Sequence, residues 1–234
     1  HLLYLHFTMD DNLSLSEKIK ERYRSMYTGV FYRRYILGLW AMAEGIIYDM
    51  FDTAKHVISS LSGLVNANYY VSCDYGTQNA TVFLLWCKDE LGRWVCCREY
   101  YYSGRDEERQ KTDSEYADDL EQWLAGIKPV KIIIDPSAAS FIAELKKRGY
   151  TIKKAKNDVL DGIRFVASLL NQGKIVISDQ CPNTIKEFGS YIWDQKASER
   201  GEDKPIKQHD HAMDALRYFC YTIIRKPSSI GILK

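Results

Sequence analysis

Three acidic residues stand where their chemistry needs an explanation. Asp74 closes the run Tyr69-Tyr70-Val71-Ser72-Cys73-Asp74, and Asp135 closes a second apolar run in Ile132-Ile133-Ile134-Asp135-Pro136. A carboxylate at the end of a buried strand must be paired, hydrogen-bonded or metal-bound, because burying it bare is expensive. The third lies in His209-Asp210-His211-Ala212-Met213-Asp214-Ala215, where spacings of three and four place Asp210, His211 and Asp214 on adjoining parts of one helix face, opposite Ala212, Leu216, Phe219 and Ile223. Taken singly, each has an ordinary reading: a turn acid before Gly76, a cap or turn residue ahead of Pro136 and Ser137, and a solvated helix start that suits the macrodipole. Two acids at strand ends and a third on a helix crossing them form instead an oxygen-rich cluster suited to Mg²⁺ or Mn²⁺. Two such ions about 3.5 to 4 Å apart activate a water and stabilise the leaving oxygen in phosphodiester cleavage. No Cys/His spacing argues for zinc.

The elements that position these acids follow from the hydrophobic pattern. Residues 69–74, 80–87 and 94–102 read as three strands joined by short turns, an antiparallel meander. Thr112 and Glu115 form a capping box opening a helix with Tyr116, Leu120 and Trp123 or Leu124 on one face, closed near Gly126. Val130 to Ile134 reads as a buried strand. Helices are then predicted over about 138–148, 158–171, 182–194 and 209–224, with strands near 151–155 and 174–177. The fold class is therefore α/β, a mixed sheet of three antiparallel strands followed by βα units, flanked by helices. Upstream, Ser14 or Ser16 caps a helix carrying Ile19 and Tyr23, and Ala43 to Asp52 reads as an irregular connector. The extended run Leu2 to Phe7 reads as the last strand of something upstream, so the chain is expected to be a fragment of a larger protein.

A chain of 234 residues with 46% hydrophobic content buries a full core, and no run approaches the ~18 to 20 apolar residues of a membrane span. Lys and Arg number 32 against 31 Asp and Glu, so any nucleic-acid contact must be local. Six cysteines without a C-x-x-C pair or a secretory signal point to free thiols in a reducing, intracellular compartment.

Together, Trp40-Ala41-Met42-Ala43-Glu44-Gly45-Ile46-Ile47-Tyr48, Phe51-Asp52, Asp74-Tyr75-Gly76, Ile133-Ile134-Asp135-Pro136-Ser137-Ala138 and His211-Ala212-Met213-Asp214-Ala215-Leu216-Arg217-Tyr218 resemble the C-terminal nuclease domain of the large subunit of tailed-phage terminase, a DNA-packaging motor. The resemblance implies a ribonuclease H-like fold. It implies that Asp74, Asp135 and Asp214 bind two divalent metal ions, Mg²⁺ or Mn²⁺, with His211 an accessory histidine beside them. It also implies an endonuclease that cuts concatemeric double-stranded DNA without strong sequence specificity in the host cytoplasm, at the procapsid portal, with portal protein and small terminase subunit as partners. Residues 1–65 would be the end of an ATPase domain plus a helical linker, and 66–234 the nuclease domain. No G-x-x-x-x-G-K-[ST] loop occurs, so no ATP hydrolysis is expected.

DNA contact is expected at the polar stretch ahead of the last helix, through Lys196, Arg200, Lys204, Lys207 and His209, as a loop or hairpin over the site. Lys153, Lys154 and Lys156 offer a second basic edge, which would equally block strand-edge association. Such contacts go to phosphates and are salt-sensitive. Glu115, Asp118 and Asp119 are available as a fourth acid. Replacing Asp135 or Asp214 is expected to abolish cleavage with little loss of fold, by relieving repulsion. Rival readings are an actin-like or sugar-kinase-like ATP-binding domain, from Asp74-Tyr75-Gly76-Thr77, a junction resolvase or transposase, and a non-catalytic docking domain.

Overall fold

The computed structural model describes residues 5–59, 61, 68–76 and 79–225. The expectations that involve Leu2 to Tyr4, Thr77, the boundary at 65/66 and the tail from Lys226 fall outside these residues.

Two helices open the chain, α1 (Glu17–Met26), which follows Ser16, and α2 (Gly29–Tyr35), and the short α3 (Thr53–His56) runs straight into β1 (Val57–Ile58). The meander follows as β2 (Tyr70–Asp74), β3 (Ala80–Lys88) and β4 (Trp94–Ser103). After it come α4 (Asp113–Leu124), β5 (Lys131–Ile134), α5 (Ala139–Lys147), β6 (Ile152–Lys154), α6 (Val159–Asn171), β7 (Ile175–Ser178), α7 (Pro182–Ser190), α8 (Gln195–Glu199) and α9 (His211–Phe219). The seven strands form one mixed sheet in the order β1-β7-β4-β3-β2-β5-β6. The meander is antiparallel, whereas β5 and β6 extend it in parallel beside β2, and β7 and β1 do so beside β4.

Alternation along β3 explains the two cores. Val82, Leu84 and Trp86 face α6 and α9, while Phe83 and Leu85 face α4 and α5. The expected capping box is present: Thr112 Oγ1 accepts from the Glu115 amide at 3.3 Å, and Glu115 Oε2 accepts from the Thr112 amide at 2.8 Å. Two predicted helices need correction. The one over 182–194 stops at Ser190, because Tyr191 to Trp193 turn into bridges with Gly45, Ile46, Ile47 and Pro205. The last helix is α-helical only to Phe219 and finishes as a π-helical turn, Cys220–Ile224.

The connector predicted to be irregular is irregular yet integral. Ala43, Ile47 and Tyr48 are buried in the α9-side core with Phe31, Phe188 and Trp193, and Ser198 Oγ donates to the Ala43 carbonyl at 2.6 Å. No helix among the described residues is long and apolar enough to cross a membrane.

Candidate active site

Register brings the two strand-end acids together. Cys73 of β2 pairs with Ile134 of β5 in parallel, so the next residues, Asp74 and Asp135, emerge side by side at the carboxyl end of the sheet. Asp135 is held by its own turn: Oδ1 accepts from the Ser137 amide at 2.8 Å and Oδ2 from Asn157 Nδ2 at 3.0 Å. Burial raises the Asp135 pKa, but these hydrogen bonds and one from Tyr218 outweigh it, and the carboxyl sits below its ordinary range. Among the described residues no backbone amide donates to Asp74. Burial pushes it up to about 6, against the opposing pull of His211, whose Nδ1 donates to Asp74 Oδ2 at 3.0 Å. His211 loses basicity to burial and regains more from Asp74, so its pKa ends above the ordinary value.

Asp214 and His211 are delivered by α9, which packs across β2 and β3. The helix begins at Asp210 without a side-chain cap of its own. Its first amides are satisfied from α7 instead: Glu187 Oε2 accepts from Ala212 at 2.8 Å and Met213 at 3.2 Å, while Oε1 accepts from the Tyr101 hydroxyl of β4 at 2.9 Å. Burial pushes this carboxyl up to about 7. One turn into α9, Asp214 Oδ1 accepts from Arg217 at 2.8 Å, and Arg217, only 2% exposed, also donates to the Asn157 and Asp158 carbonyls. This corrects the expectation that Asp214 can be replaced with little loss of fold, because its removal leaves a buried guanidinium without its charge partner.

A cleft of about 600 Å³ opens over these groups, lined by Asp74, Asp210, His211 and Asp214 and, among others, by Asn79, Tyr101, Arg105 and Asp106. Asp135 stands beside Asp74 but does not line it. Of the predicted DNA contacts, Lys207 and His209 line the cleft, whereas Lys196, Arg200 and Lys204 are exposed outside it, Lys204 paired with Glu202. The polar stretch does fold back as a short hairpin: the Asp194 amide donates to the Lys204 carbonyl and the Ile206 amide to the Ile192 carbonyl, with α8 at its tip. Asp210 is 5% exposed and lines the cleft, so it is not a solvent-facing cap.

Whether these residues suit a divalent cation can be judged from the donors they offer. Asp210 Oδ2 is buried and accepts no hydrogen bond, and the Lys207 ammonium lies 3.2 Å from both Asp210 Oδ2 and Asp214 Oδ2. An all-carboxylate set of this kind matches a hard cation. Among the described residues, no three His, Cys, Asp or Glu side chains are already drawn together at ligand spacing. The donors fit in kind.

Sequence reading missed Glu187, Arg217 and Arg105. Glu187 acts across 25 positions and Arg217 across 60, distances over which no periodicity reports. Arg105, after β4, faces the cleft only because the meander folds back toward α9. The alternative fourth acids are engaged elsewhere: Glu115 in its capping box, Asp118 with Arg148, and Asp119 with Lys111 and Tyr100.

Comparison with known proteins gives consistent matches. The model of the terminase RNase H-like domain family matches residues 86–221. The large subunit of terminase from Escherichia phage T5 is 26% identical over 232 residues, covering 94% of this chain and 52% of that protein. The structure of the large terminase from a thermophilic bacteriophage, in complex with ADP, superposes with a TM-score of 0.89 at 57% identity, covering 96% of this chain and 56% of that one. The large terminase nuclease of thermophilic phage G20c, solved with bound magnesium, shares the fold with a TM-score of 0.57 at 16% identity, over 78% of this chain and 98% of that one. The chain thus spans about half the length of the phage T5 protein and of the ADP-bound terminase.

Proposed function

The chain belongs to the terminase RNase H-like domain family, and on that premise we propose that it is a metal-dependent endonuclease that cuts concatemeric double-stranded DNA without strong sequence preference during viral DNA packaging. The observation that carries this reading is the adjacency of Asp74 and Asp135 at the ends of parallel strands, with Asp214 brought over them by α9. Divalent ions, when bound, would supply an activated water and charge stabilisation for the leaving oxygen. In this reading Asp74, Asp135 and Asp214 would hold these ions, two in number. His211 orients Asp74 through its Nδ1–H and carries a proton at the cleft wall. Glu187 and Arg217 fix the start and first turn of α9, and so the direction of Asp214.

Lys207, His209 and Arg105 would grip phosphates at the cleft, with Lys196, Arg200 and Lys204 meeting the duplex farther out. In this reading their contacts go to phosphates, which carry no sequence information, and sequence-indifferent cutting follows. Residues 66–234 form the nuclease unit in this reading and 1–65 the end of an ATPase domain with its linker, which packs onto the nuclease core through Phe31, Ile47 and Tyr48 and adds β1 to the edge of its sheet. Portal protein, the small terminase subunit and the host cytoplasm follow as partners and location from the packaging role. The family match favours this over the actin-like reading.

Cleavage of supercoiled plasmid with Mg²⁺, Mn²⁺ or EDTA, beside Asp74→Ala, tests it. The expected result is metal-dependent nicking of unrelated plasmids, lost in the variant. Absence of cleavage with either metal, together with tight ATP binding, would overturn it.

A further inference from the structure

Lys207 has a position that a simple phosphate contact does not need. Its side chain is 63% exposed along its length, yet the ammonium reaches down between two buried carboxylates, 3.2 Å from each of Asp210 Oδ2 and Asp214 Oδ2. Asp214 Oδ1 is already taken by Arg217, so the oxygen held by Lys207 is the one Asp214 has left. The two cations differ in freedom. Arg217 is buried and tied to two backbone carbonyls of the segment before α6, whereas Lys207 rides an exposed loop whose next residue but one, His209, has a left-handed backbone with φ of 50°. Among the described residues Asp210 Oδ2 accepts no hydrogen bond, and that ammonium lies 3.2 Å from it.

We propose that Lys207 is a tethered counter-ion: it neutralises the Asp210–Asp214 pair until a divalent cation takes its place, and the released ammonium then turns to a DNA phosphate in the same cleft. Metal binding and grip on DNA are thereby coupled through one side chain. The inference rests on the nuclease reading of the site. A lysine whose only role is to touch DNA would leave metal affinity unchanged, and one whose only role is structural would not change DNA affinity in a metal-dependent way.

The test is Mn²⁺ binding to this chain without DNA, by calorimetry and by the electron paramagnetic resonance of free Mn²⁺, for the wild type, Lys207→Ala, Lys207→Arg and the control Lys204→Ala. Circular dichroism confirms that each variant is folded. Removing an exposed-stem ion pair of ordinary strength should tighten Mn²⁺ binding by about 1.5- to 5-fold in Lys207→Ala. Lys207→Arg and Lys204→Ala should stay near the wild type. In a second arm, a duplex of arbitrary sequence should bind wild type and Lys207→Ala alike in EDTA, while in Ca²⁺ the variant should bind several-fold more weakly. Equal or weaker Mn²⁺ affinity in Lys207→Ala, with a wild type that binds Mn²⁺ and nicks plasmid, would overturn the counter-ion role alone. A wild type that neither binds Mn²⁺ nor nicks plasmid would overturn the nuclease reading together with it.

Discussion

At the scale of single residues, the two acids in the most regular settings differ in what they hold up. Asp135 accepts from Ser137 and Asn157, both of which an asparagine can still meet in part, so Asp135→Asn should cost about 1 kcal/mol or less in stability while reducing plasmid cleavage at least about 100-fold. Asp214→Asn should lose cleavage too, but it strips the charge partner from buried Arg217 and should destabilise by about 3 to 5 kcal/mol. Denaturant titrations beside plasmid assays separate the two, and an Asp135→Asn variant with full activity would sink the assignment. Asp74, Asp135, His211 and Asp214 were legible because each ends an apolar run or starts an amphipathic helix, where a polar side chain stands out against its pattern. Arg217 was not, because it looks like any basic residue in the last turn of a helix. Only the fold shows it inserted between α9 and α6.

At the scale of elements, α9 is the piece whose placement decides the site, and α6 has made room for it. Gly162 lies within α6 where an added Cβ would come 2.6 Å from both Cγ and Cδ of Arg217. Alanine at such a helical position normally gains up to about 1 kcal/mol. Here overpacking against a fixed, buried side chain costs about 1 to 3 kcal/mol, so Gly162→Ala should lower the melting temperature and displace Asp214 enough to weaken cleavage. Gly189→Ala in α7, where nothing lies within 4 Å, is the matched control and should not destabilise. The strands and most helices could be read from periodicity and caps, since those signals are local. The end of α7 could not, because Tyr191 to Trp193 leave the helix to bond with residues 45–47, a partner roughly 150 positions away. The bulge that shifts the β3–β4 register near Leu85 and Trp86 had no glycine to announce it.

For the whole molecule, three buried titrating groups act in one direction. Asp74 and Glu187 hold their protons up to about 6 and 7, above their ordinary 3.8 and 4.5, and His211 holds its proton above 6.5. Between about pH 5 and 8 these three groups bind more protons in the folded chain than in the unfolded one, and stability should fall as pH rises through that window. Asp135, shifted the other way, contributes stability that is lost only as pH falls below about 4. Melting temperatures in EDTA should thus decline by a few degrees from about pH 5 to 8, more shallowly in Glu187→Gln. The increment added by Mn²⁺ should instead grow with pH, because ligands must be deprotonated. Scanning calorimetry across pH reads both slopes. The class of sheet was visible in the order of runs, but the seating of β7 and β1 beside β4 was not, since parallel neighbours far apart in sequence share no turn. That same remoteness governs how the chain comes into being. Ser198 closes on Ala43 across 155 positions, which a ribosome working at about 5 to 20 residues per second takes roughly 8 to 30 s to traverse. For most of that interval Phe31, Ile47 and Tyr48 lack part of the surface that later covers them. The segment 31–48, made early, is thus among the last parts to find its place.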